Sequence, residues 1–209
     1  MQHLYFIRHG ETDFNARGIV QGSGIDSDLN ERGRAQAQAF YEHYQHVGFE
    51  LVYVSKLRRT AQTVAPFIAA GVPYLERAEL NEIGWGENEG ALPNRQMTEA
   101  FNTVTTQWRA GNYDASVVDG ESAASLLTRV EVFLQELKTR PENRILIATH
   151  GRTLRAITCL LHGLPISEME RFNHRNTSLV EAAYNRENNT YQVLRENDTM
   201  HLGTLKLTV

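Results

Sequence analysis

A single cysteine stands among the 209 residues, so no intrachain disulfide can form. Cys159 lies in the apolar run Thr158-Cys159-Leu160-Leu161, which reads as a buried structural thiol. Long apolar stretches are also missing. The N-terminal run ends at Arg8-His9, too short for a signal peptide core or a membrane span, and with the lone thiol it suggests a cytoplasmic protein. Excess positive charge is absent too. A formal net charge of -4 gives no general attraction to nucleic acid or to an anionic membrane, so any bound anion must meet a local cluster of cations. No repeat, low-complexity segment or dividing linker interrupts the chain, which is read as one domain over 1–209. With 41% hydrophobic residues it can bury a full-sized core.

Apolar runs at His3–Ile7, Leu51–Val54, Tyr74–Leu80, Ile145–Ala148, Ser178–Tyr184 and Thr190–Leu194 predict six strands. Helical spacing follows Asn30, an N-cap candidate, and recurs over 57–70 and 153–161. A further helix is expected after Ser122, whose stripe is Leu126, Leu127, Val130, Phe133, Leu134 and Leu137. Alternating strands and helices imply an α/β fold, a mostly parallel central sheet flanked by helices. Residues 81–93 are rich in glycine and acids and read as a loop, 96–109 look helical without a clean stripe, and 111–120 are polar. Together, 81–120 are assigned to a lid-like insertion.

Two apolar strands each end in His-Gly, at His9-Gly10 and at His150-Gly151. In open α/β sheets ligands bind beyond the carboxyl ends of strands, so both imidazoles are expected at one rim. Arg8 precedes one histidine, Arg152 follows the other, and Arg58-Arg59 lies just past a third strand end. That local excess of guanidinium on an acidic chain points to an anion, and phosphate suits its forked donors. A nucleophilic imidazole must be neutral, and adjacent cations disfavour its protonated form. Glu82, among loop glycines, is placed to act as general acid.

The sequence Arg8-His9-Gly10-Glu11-Thr12, with Asn15 following, resembles the signature of the phosphoglycerate mutase-like histidine phosphatase superfamily. The likeness continues through Gln21-Gly22, Leu29-Asn30-Glu31-Arg32-Gly33, Ser55-Lys56-Leu57-Arg58-Arg59-Thr60, Gly120-Glu121-Ser122 and Thr149-His150-Gly151. The resemblance implies a histidine acid phosphatase-type phosphoric monoester hydrolase. In it His9 becomes phosphorylated, Arg8, Arg59 and His150 hold the phosphoryl oxygens, and Glu82 donates the proton. Asn15, Gln21, Gly22 and Gly151 are the implied substrate contacts, and Arg58 is the lesser cation beside Arg59. The implied partner is a small-molecule phosphate ester, with no metal and no cofactor. Trp85-Gly86-Glu87-Asn88-Glu89-Gly90 departs from the family pattern Phe-Gly-x-Trp-Glu-Gly, so the walls of the substrate pocket differ. A shorter insertion before Gly120 favours the phosphatase branch over a mutase; a catalytically silent phosphoester-binding protein is the third reading. Substrate and oligomeric state stay open.

Plainer roles are set beside these. His3, His43, His46, His162, His174 and His201 are expected to be ordinary surface or core histidines. Arg155 and Arg175 fit either a pocket lining or an exposed face. Glu87 and Glu89 read as a solvated acidic loop and as alternative acids to Glu82. Trp85 is expected to pack, and Phe101 with Trp108 to lie under the lid or in the core.

Overall fold

The structure, a computed structural model, describes residues 1–205. Strand β1 (Gln2–Arg8) leads through a short helix α1 (Asp13–Ala16) to α2 (Glu31–Tyr44), then β2 (Leu51–Val54), α3 (Arg58–Ala69) and β3 (Tyr74–Glu76). The lid-like helix α4 (Arg95–Arg109) precedes α5 (Ala123–Thr139), β4 (Arg144–Thr149) and α6 (Gly151–Leu161), and β5 (Leu179–Asn185) with β6 (Thr190–Asp198) comes before a last 3-10 turn at Met200–Thr204. The result is a single α/β domain. Its six-stranded sheet has the order β3-β2-β4-β1-β5-β6. Pairings among β3, β2, β4 and β1 are parallel, and β5 and β6 add antiparallel strands at one edge.

Near-continuous apolar runs form the central strands because both faces are covered. On β1, Leu4 and Phe6 face one side with Ile145 and Ile147 of β4, against Leu126, Val130 and Phe133 of α5 and Leu154 and Ile157 of α6. The alternate residues Tyr5, Ile7, Leu146 and Ala148 face the other side, against Phe40 and Tyr44 of α2 and Val64 and Phe67 of α3. Each fully buried Leu, Ile, Val or Phe among them contributes about 1.5–3 kcal/mol.

Helix α2 starts where Asn30 accepts from the Gly33 amide at 2.8 Å, and α5 where Ser122 accepts from the Ser125 amide at 3.2 Å. Gly33 is needed for a different reason. A Cβ there would lie 2.0 Å from the Glu11 carbonyl oxygen, so only glycine lets α2 dock its first turn onto the strip following β1.

Three expected elements differ. The run 74–80 is a strand only to Glu76, followed by a 3-10 turn at Ala78–Leu80, because the four-residue β2 offers no partner beyond Val54. β6 runs on to Asp198, pairing with β5 through shifts of register on either side of Glu181. The helix expected from Thr153 begins two residues earlier, at Gly151. Short α1 lies in a stretch with no apolar periodicity, and a reciprocal Thr12–Asn15 capping box holds it.

Candidate active site

Adjacent parallel strands β1 and β4 pair Arg8 with Thr149 at their carboxyl ends, so the next residues, His9 and His150, emerge side by side. Their ring centroids are 5.1 Å apart and both side chains are buried. β2 neighbours β4 on its other side, and its end delivers Ser55 and then Arg59 in the first turn of α3. Ser55 Oγ lies 2.8 Å from His150 Nε2, and Arg59 Nε donates to His150 Nδ1 at 3.2 Å. An arginine N–H can only donate, so His150 Nδ1 accepts and its Nε2–H points to Ser55.

His9 is fixed in the complementary sense. Its Nδ1 lies 2.7 Å from the Gly10 carbonyl, which can only accept, so Nδ1 carries the proton and Nε2 keeps its lone pair. Burial first, then the charges of Arg59 and Arg8, push His9 well below the usual imidazole range. Burial and Arg59 do the same to His150.

Arg59 is buried and held by the loop before α2. Its Nη1 donates to the Ile25 carbonyl at 2.6 Å and its Nη2 to the Gly22 carbonyl at 3.3 Å. The Gln21 amide satisfies its neighbours with its oxygen toward Arg59 Nη1 (3.0 Å) and Nε (3.1 Å) and its nitrogen donating to Thr12 Oγ1 (2.8 Å). Burial lowers the Arg59 pKa to about 10, opposed by the nearby Glu82, Asp26 and Glu89 carboxylates. Arg58, by contrast, is exposed and paired with Asp26 at 3.1 Å and Asp28 at 3.4 Å. Arg8 donates from Nη1 to the His174 carbonyl at 2.7 Å, while its buried Nε has no partner among the described residues. An unpartnered, buried guanidinium N–H, on an arginine whose charge acts with that of Arg59 on His9, is a place made for an anion.

Glu82 arrives from the loop after β3 and acts as a tertiary cap for α6. Its carboxylate accepts from the amides of Arg152 (3.1 Å) and Thr153 (3.2 Å), the second and third residues of that helix, whose N-cap His150 makes no side-chain cap bond. Gly151, the first residue, has no intrahelical acceptor by position. Glu82 Oε2 and Arg8 Nε both lie within 3.6 Å of one point, where a Cβ on Gly151 would sit. The structure therefore brings His9, His150, Arg8, Arg59, Glu82 and Gly151 to one rim. Asn15 stands beside it: its Oδ1 accepts from Asn176 Nδ2 at 3.3 Å, and that nitrogen also donates to the His9 carbonyl at 3.0 Å.

Four readings from sequence are corrected or sharpened. Glu89 is not a solvated loop acid. It accepts from the Trp85 amide at 2.8 Å, and a Cβ on Gly22 would meet its Oε1 at 2.1 Å. The glycines that follow both histidines would also let backbone N–H groups approach a phosphate, but the Gly10 amide donates to Thr63 Oγ1 at 2.9 Å. His174 is a buried core histidine as expected, and its backbone carbonyl also accepts from Arg8. Arg175 is exposed, whereas Arg155 is half-buried and bonded to Glu170 at 2.8 Å. Ser55, Thr63, Asn176 and Thr177 were missed as site residues. Thr177, a β-branched residue at φ 56°, donates its amide to the Arg8 carbonyl at 3.0 Å. Such backbone costs about 1–3 kcal/mol and is kept here by the carbonyls it holds.

Among the described residues, no group of three or more His, Cys, Asp or Glu side chains could hold a metal ion, and no helix is long and apolar enough to cross a membrane. A family model described as histidine phosphatase superfamily (branch 1) matches residues 4–199. The chain is similar to phosphoserine phosphatase 1 of Hydrogenobacter thermophilus, 30% identical over 97% of this chain and 95% of that one. It is also similar, at the same 30% identity but over 88% of this chain and 86% of that one, to a protein of Enterobacter named probable phosphoglycerate mutase GpmB. Among solved structures, the alpha-ribazole phosphatase from Shigella flexneri superposes with a TM-score of 0.82 at 26% identity, covering 95% of this chain and 97% of that one.

Proposed function

This chain belongs to the histidine phosphatase superfamily, branch 1, and on that premise we propose that it is a phosphomonoester hydrolase working through a phosphohistidine on His9. The observation that carries the reading is the state of His9. A neutral ring, with Nδ1–H tied to the Gly10 carbonyl, presents the Nε2 lone pair beside two guanidinium groups and a second imidazole.

In the first step His9 Nε2 attacks phosphorus in line, and the bond from phosphorus to the ester oxygen breaks. The carboxyl group of Glu82 gives its proton to that oxygen, and the alcohol leaves. In the second step Glu82 takes a proton from water, the resulting hydroxide attacks phosphorus, the P–N bond breaks, and phosphate departs. Arg8 and Arg59 hold the phosphoryl oxygens, stabilising the charge that spreads over them in the transition state, and His150 joins them by turning its Nε2–H from Ser55 to an oxygen. The unpartnered Arg8 Nε and the Gly151 amide at the start of α6 point to the same anion. These donors make a metal unnecessary. Gln21 and Gly22 act by holding Arg59, and Asn15 by its place beside Asn176. Residues 81–120 form the lid, supplying Glu82 at one end and α4 as a cover.

A panel of phosphate esters, assayed with and without chelator for free phosphate and for rearranged ester, tests this function. Chelator-resistant release of phosphate is expected. Isomerised ester without phosphate, or activity abolished by chelator, would overturn it.

A further inference from the structure

Beside the phosphoryl site a cavity of about 300 Å³ opens between the lid helix α4 and the loop that follows Glu82. Val20, Trp85, Met97 and Phe101 supply its apolar walls, and no charged side chain lines it. Two links tie it to the chemistry. Gln21, whose oxygen rests on Arg59, also lines the cavity. Arg152, whose amide caps onto Glu82, lays its guanidinium 5.6 Å from the Trp85 ring centre and 5.0 Å from that of Phe101. The cavity therefore adjoins the side from which Glu82 would protonate a leaving oxygen.

We propose that this cavity holds the departing alcohol and selects phosphomonoesters whose alcohol bears an uncharged aromatic ring, over small esters that carry a carboxylate. This specificity rests on the phosphatase reading above. Its basis is charge as well as shape. Arg152 and Arg155, the cations behind the aromatic wall, share one carboxylate, Glu170, and Arg152 is further covered by two rings. A substrate carboxylate would lose water against Trp85 and Phe101 and find those guanidinium groups already engaged. A flat ring gains the opposite: apolar area is buried, and Trp85 and Phe101, 5.4 Å apart, offer edge and face contacts. Size agrees, since an apolar cavity of about 150 Å³ is enough to take up benzene.

Wild-type protein would be assayed with 2-phenylethyl phosphate, ethyl phosphate and O-phosphoserine. The first two release similar alkoxides, so their ratio reports the ring and not leaving-group basicity. For phenylethyl phosphate, kcat/KM should exceed the value for ethyl phosphate at least about tenfold, and should exceed that for phosphoserine. Phe101→Ala should bring the phenylethyl-to-ethyl ratio toward one. Met97→Lys, which places a cation in the cavity, should shift preference toward phosphoserine. Phosphate release with equal rates for the two neutral esters, or with phosphoserine preferred by the wild type, overturns the specificity while leaving the phosphatase reading intact. Should no ester be hydrolysed, calorimetry with 2-phenylethylphosphonate and ethylphosphonate separates the two claims. Binding about tenfold tighter for the ring-bearing ligand upholds the subsite, and equal binding rejects it.

Discussion

Three histidines that stay neutral inside the folded protein give its stability a defined dependence on pH. His9 and His150 are held well below the usual imidazole range, chiefly by burial and then by Arg59, and burial lowers His174 to about 3. In the unfolded chain all three titrate near 6.5. Above that pH neither state is protonated and the difference vanishes. As pH falls through 6.5 the unfolded chain takes up protons that the native state refuses, so stability drops until the folded pKa values are reached. Between pH 7.5 and 5.5 each such imidazole costs on the order of 1 kcal/mol, which together is a sizeable share of the roughly 5–15 kcal/mol typical of a domain. His201, lowered to about 4 mainly by burial, acts in the same direction. Salt-bridged acids stay out of this window. Glu136 and Glu142 are held below 4.5 by arginine partners, so their contribution is complete above 4.5 and is lost only as pH falls below it. Denaturant unfolding at pH 7.5, 6.5 and 5.5 and constant ionic strength measures the slope. His174→Gln should shrink the drop by about a quarter, since four imidazoles contribute nearly equally. A flat profile, or stability rising toward pH 5.5, would refute the buried neutral imidazoles.

Arg59→Gln removes a charge that depresses His9, so the acid limb of kcat/KM should move to higher pH while kcat falls by about 10²–10³; an unchanged rate, or a limb moving the other way, removes Arg59 from the site. Gly151→Ala places a methyl 3.5 Å from Arg8 Nε and 3.6 Å from Glu82 Oε2, which are ordinary contact distances. The melting temperature should hold, while kcat drops by about 10² because the methyl fills the space between acid and guanidinium; full activity would place the substrate elsewhere. Gly33→Ala drives a Cβ to 2.0 Å from the Glu11 carbonyl oxygen and should cost about 1–3 kcal/mol or more, read from the unfolding midpoint. A neutral result there would contradict the close docking of α2 on the strip after β1.

The site's two poles were legible because each is written locally. An apolar run that stops at His-Gly names both a buried strand and the side chain at its rim, and the arginines beside His9 and His150 stand out on an acidic chain. Helix starts at Asn30 and Ser122 were readable for the same reason, since a cap and its helix are neighbours. What escaped depends on contacts distant in sequence. Ser55 meets His150 across 95 residues, and Asn176 meets the His9 carbonyl across 167. Ser55 opens the run that carries Arg59, yet nothing local says that it meets His150, and Asn176 looks like any other polar loop residue. Glu89 misled because an acidic loop residue is usually solvated, whereas here the Gly22 backbone and the Trp85 amide enclose it. The strand at Tyr74 was legible but its end was not, for a topological reason: the length of β3 is set by β2. Thr12-x-x-Asn15 was the one readable signal passed over, a capping box that marks α1.

Covalent trapping at His9 is the most direct test of the whole account. Brief reaction with a labelled ester, acid-free quenching and peptide mapping should place an acid-labile phosphoryl group on His9 alone and show none in His9→Ala. A phosphoryl group mapped to His150 or to any other side chain, or steady hydrolysis by His9→Ala, would contradict it.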